Sequence, residues 1–333
     1  MSGGVDSSVT AALLVEQGYD VTGVYMKNWS QDLPGMKCPW AEDLADAKRV
    51  AVQLGIDFKV FDFEQQYRQK VVDYMIDEYK LGRTPNPDIM CNQEIKFKLF
   101  LETALEDGAD MIATGHYART NNGELLRAKD EGKDQTYFLY RVTADALRKT
   151  LFPLGDYLKS EVRQMAEDRG LWTATKRESM GVCFVGNVGI REFLSEYVTT
   201  KPGDIIDTQT NKVVGTHDGA IFYTLGQRHG LDVGGGLPYY VTGKDMATNV
   251  VYVSRDLQDA ALVRREVPLQ QLHWINNACT DAIVARIRHR GQLLPARIDG
   301  DMLVLDELER AITAGQSVVL YQGEQCLGGA IVA

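Results

Sequence analysis

The sequence is poor in cysteine, histidine and proline, with 5, 5 and 9 copies among 333 residues. An odd number of cysteines scattered through a long chain does not indicate the disulfide framework of a small secreted protein, so we expect a reducing, cytoplasmic setting. The histidines show no metal-binding spacing such as H-x-x-x-H, which argues against a histidine-based metal site. Internal repeats and low-complexity tracts are absent too, which leaves ordinary globular domains as the expected architecture.

Long apolar runs and a positive charge balance are also missing. No run reaches the roughly 18 apolar residues of a membrane-spanning helix, and the first residues lack the charged and apolar regions of a secretory signal. We therefore expect neither a membrane partner nor secretion. The formal net charge of −10 speaks against nucleic acid at first sight, but a local basic patch can coexist with an acidic total. The partner has to be inferred from motifs.

The first half of the chain alternates between helical and strand patterns. The periodicity predicts helices over 7–17, 41–55, 65–80 and 96–106, and strands over 19–26, 56–63 and 109–117. Gly18 and Gly55 stand where the first two helices should end. Strands that alternate with helices of this length predict an α/β fold with a doubly wound parallel sheet.

Beyond about Val185 the pattern changes to short β-like runs broken by glycine. Several short strands with turn signals and little helix predict a small central domain and a C-terminal β-barrel. We therefore divide the chain into an α/β domain over 1–185, a central domain over 186–253 and a barrel domain over 254–333.

The opening stretch MSGGVDSSV has the composition of a phosphate-binding loop. Glycines permit close backbone approach, and the N-terminus of the following helix favours an anion. Such a loop normally follows a strand, so we expect an apolar strand before Met1. Asp6 is a candidate ligand for Mg²⁺, since that ion prefers hard oxygen ligands. A serine-rich tail is the alternative for a lone SGG, but the full string followed by a helix favours a phosphate-binding loop. It resembles the PP-loop of the ATP pyrophosphatases, which implies ATP. The residues expected to contact ATP here are Met1, Ser2, Gly3, Gly4, Val5, Asp6, Ser7 and Ser8.

Two cysteines stand in distinctive surroundings. Cys91 lies in GRTPNPDIMCNQEIKF, where two prolines predict a rigid extended turn, and a thiolate is plausible there because its neighbours are polar and Lys96 follows. Cys183 lies in ESMGVCFVG among small and apolar residues. From this segment alone, a buried structural role for the Cys183 thiol and a functional role are equally well supported.

Taken together, these segments resemble the tRNA-specific 2-thiouridylases, enzymes of the PP-loop ATP pyrophosphatase class that place sulfur on the wobble uridine of tRNA. The similarity extends over nearly the whole chain. The segments that carry it are MSGGVDSSV, YMKNW, TPNPDIMCNQEIKF, ATGHYAR, KDQTYFL, ESMGVCFVG, YTLGQRHGL and CLGGAI. Such a set in one order is far more specific than a phosphate loop alone.

The resemblance implies that O2 of the wobble uridine U34 is adenylated by ATP and that a cysteine persulfide then supplies sulfur. By the same resemblance Cys183 carries the persulfide, Cys91 is the second cysteine and Asp88 is an acid/base candidate. Met26 and Gly115 match positions that contact adenosine. The implied products are 2-thiouridine, AMP and pyrophosphate.

The resemblance also implies contacts with tRNA. The matching residues are Asn86, Pro87, Asp88, His116, Lys133, Asp134, Gln135, Arg288, His289 and Gln316. RIRHR at 286–290 predicts alternating arginines on one strand face, for which a solvated edge strand is the alternative. His289 stands where many relatives carry tyrosine, so stacking is kept while the contact becomes sensitive to pH.

Other functions remain open at this level. A different adenylating enzyme, such as an amidating synthetase, would need ammonia and no cysteine pair. A non-catalytic RNA-binding protein would form no AMP. Cys38, Cys91 and Cys183 could ligate an iron–sulfur cluster, although short Cys-x-x-Cys runs are lacking. The expected partners are the tRNAs for Lys, Glu and Gln and a sulfur donor, either a cysteine desulfurase or a relay protein.

Overall fold

The computed structural model describes residues 1–32, 38–177, 189–234, 236–279 and 282–333. Cys183 and the expected boundary at 185/186 lie outside these residues. The described chain comprises an N-terminal α/β region, a central four-stranded sheet and a C-terminal six-stranded barrel. The α/β class with a following barrel, predicted from the sequence, is confirmed.

Helices dominate the N-terminal region. They are α1 (Val5–Glu16), α2 (Trp40–Leu54), α3 (Glu64–Tyr67), α4 (Tyr74–Lys80), α5 (Pro87–Met90), α6 (Phe100–Glu106), α7 (Ala144–Arg148) and α8 (Lys159–Asp168). A π-helical segment, Arg68–Asp73, joins α3 to α4, and a second one, Cys91–Leu99, joins α5 to α6. Gly55 ends α2 in the left-handed conformation with φ 66°, as predicted.

Helical structure begins earlier than predicted in the fourth predicted helix, 96–106. The predicted start was residue 96, but the chain is helical from Pro87. Asn86 caps this helix by accepting hydrogen bonds from the amides of Asp88 and Ile89 at 3.0 and 3.4 Å. Proline is well suited to the first helical position because its missing N–H would have no partner there anyway.

In the described part of the α/β region the parallel strands form two separate pairs. Strand β1 (Thr22–Lys27) pairs with β2 (Asp57–Asp62), with Thr22 opposite Asp57. Strand β3 (Ile112–Ala113) pairs with β6 (Thr150–Leu151), and β4 (Arg119–Asn121) forms a hairpin with β5 (Glu124–Leu126). The predicted strand over 109–117 is therefore much shorter than expected.

The central region holds helix α9 (Ile190–Ser195) and four strands. The strands are β7 (Gly203–Asp207), β8 (Lys212–His217), β9 (Tyr240–Asp245) and β10 (Val250–Ser254), in the order β8-β7-β10-β9. Their inner faces bury a cluster that includes Ile205, Val241, Val251 and Val253.

The C-terminal strands close into a barrel. They are β11 (Val263–Trp274), β12 (Ile283–Arg286), β13 (Leu294–Asp299), β14 (Met302–Arg310), β15 (Ser317–Gln322) and β16 (Gln325–Val332). The order β11-β14-β13-β12-β15-β16 is closed by pairing of β16 with β11. Strand β5 also pairs with β16, with Leu126 opposite Gln325, so the α/β region adds two strands to the barrel sheet.

The barrel and the α/β region share one hydrophobic core. Val319, Tyr321 and Cys326 of the barrel lie in the same buried cluster as Cys91 and Tyr140. Cys91 is therefore packed in one cluster with residues of β15 and β16. No helix among the described residues is both long and apolar enough to cross a membrane.

Candidate active site

The glycine-rich loop lies at the N-terminus of α1. Gly4 is the residue before the first helical turn, and no side chain caps it. Gly3 has φ +72°, and a β-carbon there would lie 2.3 Å from the carbonyl oxygen of Asp43. Only glycine fits this position, and the close backbone leaves the amide groups of the first turn to meet an anion. The loop therefore fits the triphosphate of ATP.

The serine hydroxyls of the loop differ in their availability. Ser7 and Ser8 donate to the carbonyl oxygen of Gly4 at 3.1 and 2.9 Å. Ser8 is fully buried, and its Oγ also accepts a hydrogen bond from Thr173 at 2.9 Å. Ser2 is exposed, and its Oγ lies 3.2 Å from that of Ser7. The Ser2 and Ser7 hydroxyls thus form the rim of the loop, whereas Ser8 supports it from inside.

Asp6 forms an ion pair instead of an open metal site. Lys159 Nζ lies 2.6 Å from Oδ1 and 2.8 Å from Oδ2 of Asp6, and the Tyr117 hydroxyl donates to Oδ1 at 3.0 Å. Both carboxylate oxygens therefore face a cation from the protein. The expectation that Asp6 binds Mg²⁺ does not fit this arrangement, because a second cation would have to displace the ammonium group. We assign no described residue to Mg²⁺.

Of the two adenosine candidates, Met26 lies on a strand and Gly115 lies in the loop after β3. A β-carbon on Gly115 would lie 3.0 Å from the carbonyl carbon of Asp6 and from the amide nitrogen of Ser7, so Gly115 lies directly against the loop. Met26 is half-buried on β1, opposite Phe61 of β2. In the same strand the Val24 carbonyl accepts a hydrogen bond from the Met1 amino group.

The thiol and acid/base candidates share one helical run. Pro87 and Cys91 are buried, Cys91 to 3% exposure, while Asn86 and Asp88 are half-buried. Asp88 and Cys91 lie three residues apart on this run and thus on the same side of it. Burial raises the pKa of the Asp88 carboxyl, partly offset by the positive charge of Lys96.

Lys96 also lowers the pKa of His116, a residue that comes shortly after strand β3. Burial and the Lys96 ammonium hold the pKa of His116 well below its usual range, so the imidazole is neutral at pH 7. Its Nδ1 lies 2.9 Å from Oγ1 of Thr114, and its ring lies 5.6 Å from that of Phe97. In the π-helical pattern Lys96 comes one turn after Cys91. Asp88, Cys91, Lys96 and His116 are therefore neighbours.

The other cysteines are mostly internal. Cys38 is 7% exposed and donates to the Trp29 carbonyl at 3.7 Å, while Cys326 is 1% exposed within the barrel sheet. Cys279 is half-buried. Cys183 lies outside the described residues, so both the thiol pair and the iron–sulfur alternative stay predictions.

The candidate RNA contacts of the two regions meet at the junction with the barrel. Lys133 and Gln135 flank Asp134, whose carboxylate is fully buried and lies 3.1 Å from Arg286 Nη1. Arg288 is exposed, and its Nη2 donates to the carbonyls of residues 310 and 311 at 2.6 and 2.8 Å. Asp134 thus has structural partners and does not reach the surface.

The prediction of alternating arginines on one strand face is wrong. Strand β12 ends at Arg286, which is 7% exposed, and the chain then turns, with Arg290 at φ 61°. The His289 ring lies 4.5 Å from that of Phe138, and burial together with Arg290 and Arg286 lowers its pKa below the usual value. Gln316 is half-buried just before β15, and its Oε1 has no hydrogen-bond partner among the described residues.

Four residues of the site were not predicted from the sequence to belong to it. They are Lys96, Tyr117, Lys159 and Arg286. Tyr117, Lys159 and Arg286 meet their partners across more than one hundred residues of chain, which no local pattern reveals. Lys96 was noticed only as a neighbour of Cys91.

Three family models match successive parts of the chain. The tRNA methyl transferase HUP domain matches residues 1–187, the tRNA methyl transferase PRC-barrel domain matches 191–255, and the aminomethyltransferase beta-barrel domain matches 264–332.

Curated relatives are similar over the full chain. A protein of Bacillus subtilis named tRNA-specific 2-thiouridylase MnmA is 46% identical over 348 residues, covering 100% of this chain and 93% of the relative. Proteins of the same name from Bacillus velezensis and Limosilactobacillus fermentum are 45% and 46% identical over the same shares of both chains.

Proposed function

The chain belongs to the tRNA-specific 2-thiouridylase family, and from that premise we propose that it adenylates U34 of tRNA with ATP and then replaces O2 by sulfur. The observation that best supports this is the position of Gly115 and His116. Gly115 lies against Asp6 and Ser7 of the phosphate loop, while the pKa of the adjacent His116 is lowered by Lys96 of the thiol-bearing helix. ATP and the target base would therefore meet at the end of β3.

In the first step, O2 of uridine attacks the α-phosphorus of ATP and pyrophosphate leaves. The amides of Gly3, Gly4 and Val5 hold the phosphates at the N-terminus of α1, where the helix dipole favours an anion. The Lys159 ammonium, oriented by Asp6, adds positive charge beside them. Met26 and Gly115 contact the adenosine moiety.

Asp88 handles the proton of this step. We propose that it accepts the N3 proton of uridine as O2 attacks, because its raised pKa suits proton uptake closer to neutral pH. Asn86 and Pro87 hold the base after it has left the anticodon stack, and the neutral His116 can donate or accept a hydrogen bond there. In this proposal the base then lies next to Cys91.

In the second step, sulfur replaces the adenylated oxygen. The terminal sulfur of a persulfide on Cys183 attacks C2, and AMP leaves with O2. The Cys91 thiolate then attacks Sγ of Cys183, which breaks the S–S bond and releases 2-thiouridine. A Cys91–Cys183 disulfide results, and an external thiol reduces it with two electrons before the next turnover.

The proposed macromolecular partners are tRNA and a sulfur donor. The tRNAs for Lys, Glu and Gln carry the target uridine, and a cysteine desulfurase or a relay protein loads the persulfide. Lys133, Gln135, Arg288, His289 and Gln316 bind the anticodon stem-loop.

AMP release tests the proposal. ATP is incubated with the protein, a persulfide-loaded sulfur donor, a thiol reductant and either an unmodified tRNA or the same transcript with cytidine at position 34. We expect AMP and pyrophosphate only with the uridine transcript. A non-catalytic RNA-binding protein would release no AMP with either RNA, and an amidating synthetase would require ammonia and ignore the base.

A further inference from the structure

A short segment of the α/β region, residues 134–140, makes buried hydrogen bonds to the barrel. Within 134–140 the Tyr137 hydroxyl donates to the Ser317 carbonyl at 2.9 Å, and the Tyr140 hydroxyl lies 3.1 Å from Oγ of Ser317. Thr136 Oγ1 lies 3.2 Å from the Tyr321 hydroxyl. All of these contacts are buried and join residues far apart in sequence. The segment is therefore a fixed joint between the two regions.

An ion pair lies at the centre of this joint. Arg286 Nη1 donates to Oδ2 of Asp134 at 3.1 Å, with 8% and 0% of the two side chains exposed. Asp134 Oδ1 accepts hydrogen bonds from the Ala128 amide at 3.2 Å and the Thr136 hydroxyl at 3.0 Å. The guanidinium also lies 5.3 Å from the centre of the Tyr321 ring. Arg127 is a second, more distant cation, with its Nε 4.0 Å from Oδ2 of Asp134. The carboxylate is thus satisfied from within the protein, and breaking the pair would leave a buried charge without its direct hydrogen-bonding partner.

Residues proposed to touch RNA surround the pair. Lys133 and Gln135 directly flank Asp134, while Arg288 follows Arg286 by two residues. The His289 ring lies against Phe138 at 4.5 Å between ring centres. Since one set comes from the α/β region and the other from the barrel, their relative position depends on the joint beneath them.

The 134–140 segment also contacts the helix that carries Cys91. Asn92, next to Cys91, is 3% exposed, and its Nδ2 donates to the Phe138 carbonyl at 3.0 Å. Phe138 therefore contacts the RNA-facing His289 through its ring and the helix of Cys91 through its backbone. A shift of the barrel would be transmitted to both.

We propose that Asp134 and Arg286 are positioning residues that hold Lys133 and Gln135 in register with Arg288 and His289 as one surface for the anticodon stem-loop. Asp134 makes no RNA contact itself. This inference rests on the proposed tRNA function and adds that the surface is assembled across the domain junction by a buried charge pair.

The test is a set of variants at the pair. We compare Asp134→Leu, Arg286→Met and the double variant, together with Asp134→Asn, which keeps the size and a hydrogen-bonding oxygen. The control is Arg297→Met, which removes an exposed arginine elsewhere on the barrel. The readouts are the affinity for an unmodified tRNA by filter binding, the KM for tRNA and the KM for ATP.

Each single variant should raise the Kd and the KM for tRNA by about tenfold or more, since it leaves a buried charge without its direct partner, while the KM for ATP stays unchanged. The double variant should recover most of this loss, because two apolar side chains can replace a buried ion pair. If a single variant fails to fold, binding by the folded double variant carries the same information.

The inference would be overturned if the losses of tRNA affinity in the single variants added up in the double variant. It would also be overturned if Asp134→Asn bound tRNA as tightly as the wild-type protein does. Failure of the proposed function gives a different result, in which the wild-type protein itself does not bind tRNA.

Discussion

Lys159 Nζ lies within 2.8 Å of both carboxylate oxygens of Asp6, across a sequence separation of 153 residues. Lys159 is the first residue of α8, and its side chain is 11% exposed, against 33% for Asp6. The pair joins the phosphate loop to a helix from the other end of the α/β region. In the proposed ATP complex, Asp6 therefore orients a cation beside the phosphates.

We expect Asp6→Ala and Lys159→Ala to reduce AMP formation to a similar extent, by at least about a hundredfold, while tRNA binding persists. Neither change should alter the Mg²⁺ concentration required for half-maximal rate. Magnesium titrations of AMP release measure this, with Lys129→Ala as a control that removes a half-exposed lysine outside the loop. A selective rise in the Mg²⁺ requirement of the Asp6 variant would restore Asp6 as a metal ligand.

Asp88→Asn should separate activity from stability. General acid/base groups contribute about 10² to 10⁴ in rate, so AMP formation should fall by that order. The raised pKa means that the folded state holds the Asp88 proton to higher pH than the unfolded state does. Its contribution to the free energy of unfolding is therefore present below the usual value of 3.8 and declines as pH rises through the folded pKa.

The asparagine variant lacks this decline, so its stability relative to wild type should increase from acidic to neutral pH. Urea unfolding over that range measures the difference. Asp77→Asn is the control, because this carboxylate is 72% exposed. A variant that is less stable at neutral pH than in acid, relative to wild type, would contradict the assignment of Asp88 as a carboxyl penalised by burial.

The two cysteine variants should fail at different points. Cys183→Ser should lose persulfide loading but still adenylate tRNA and release pyrophosphate, because the phosphate loop is intact. Cys91→Ser should accept the persulfide on Cys183 and transfer it poorly. Mass spectrometry of desulfurase-treated protein distinguishes these outcomes.

Cys38→Ser is the matched control for Cys91→Ser, since both thiols are buried and each substitution should cost about 1 to 3 kcal/mol of stability. Full thiolation activity in Cys183→Ser, with persulfide on another cysteine, would refute the sulfur route.

Arg288→Ala should weaken binding of every substrate tRNA to a similar degree. Its guanidinium is fixed at the surface by two backbone carbonyls, which suits a phosphate contact. The slope of log affinity against log salt should become shallower by about one unit, as expected when a single phosphate contact is lost. Arg297→Ala serves as the exposed control, and a loss confined to one tRNA would indicate base recognition instead.

Local patterns predicted the helices better than the strands. The helix ended by Gly55 follows from its apolar stripe and its left-handed terminal residue. The strand expected over 109–117 forms only at Ile112–Ala113, because the chain leaves the sheet to bring Gly115 against the phosphate loop. Hydrophobic periodicity reports burial, and a buried loop end satisfies it as well as a strand does.

The site was predictable where its residues are contiguous and not where they pair over long distances. The glycine loop and the segment around Cys91 could be recognised as motifs. The partners of Asp6 and Asp134 are Lys159 and Arg286, and each pair depends on tertiary packing across more than 150 residues. Asp134 was expected to contact RNA because it matches a tRNA-contact position of the family, although its own side chain is fully buried.

The most direct test of the account is nucleoside analysis of tRNA after reaction. Unmodified tRNA is incubated with the protein, ATP, a persulfide-loaded sulfur donor and a thiol reductant, and then digested for mass spectrometry while AMP is quantified. The account predicts 2-thiouridine at position 34 and one AMP for each sulfur incorporated. AMP release without 2-thiouridine, or 2-thiouridine without AMP, would contradict it.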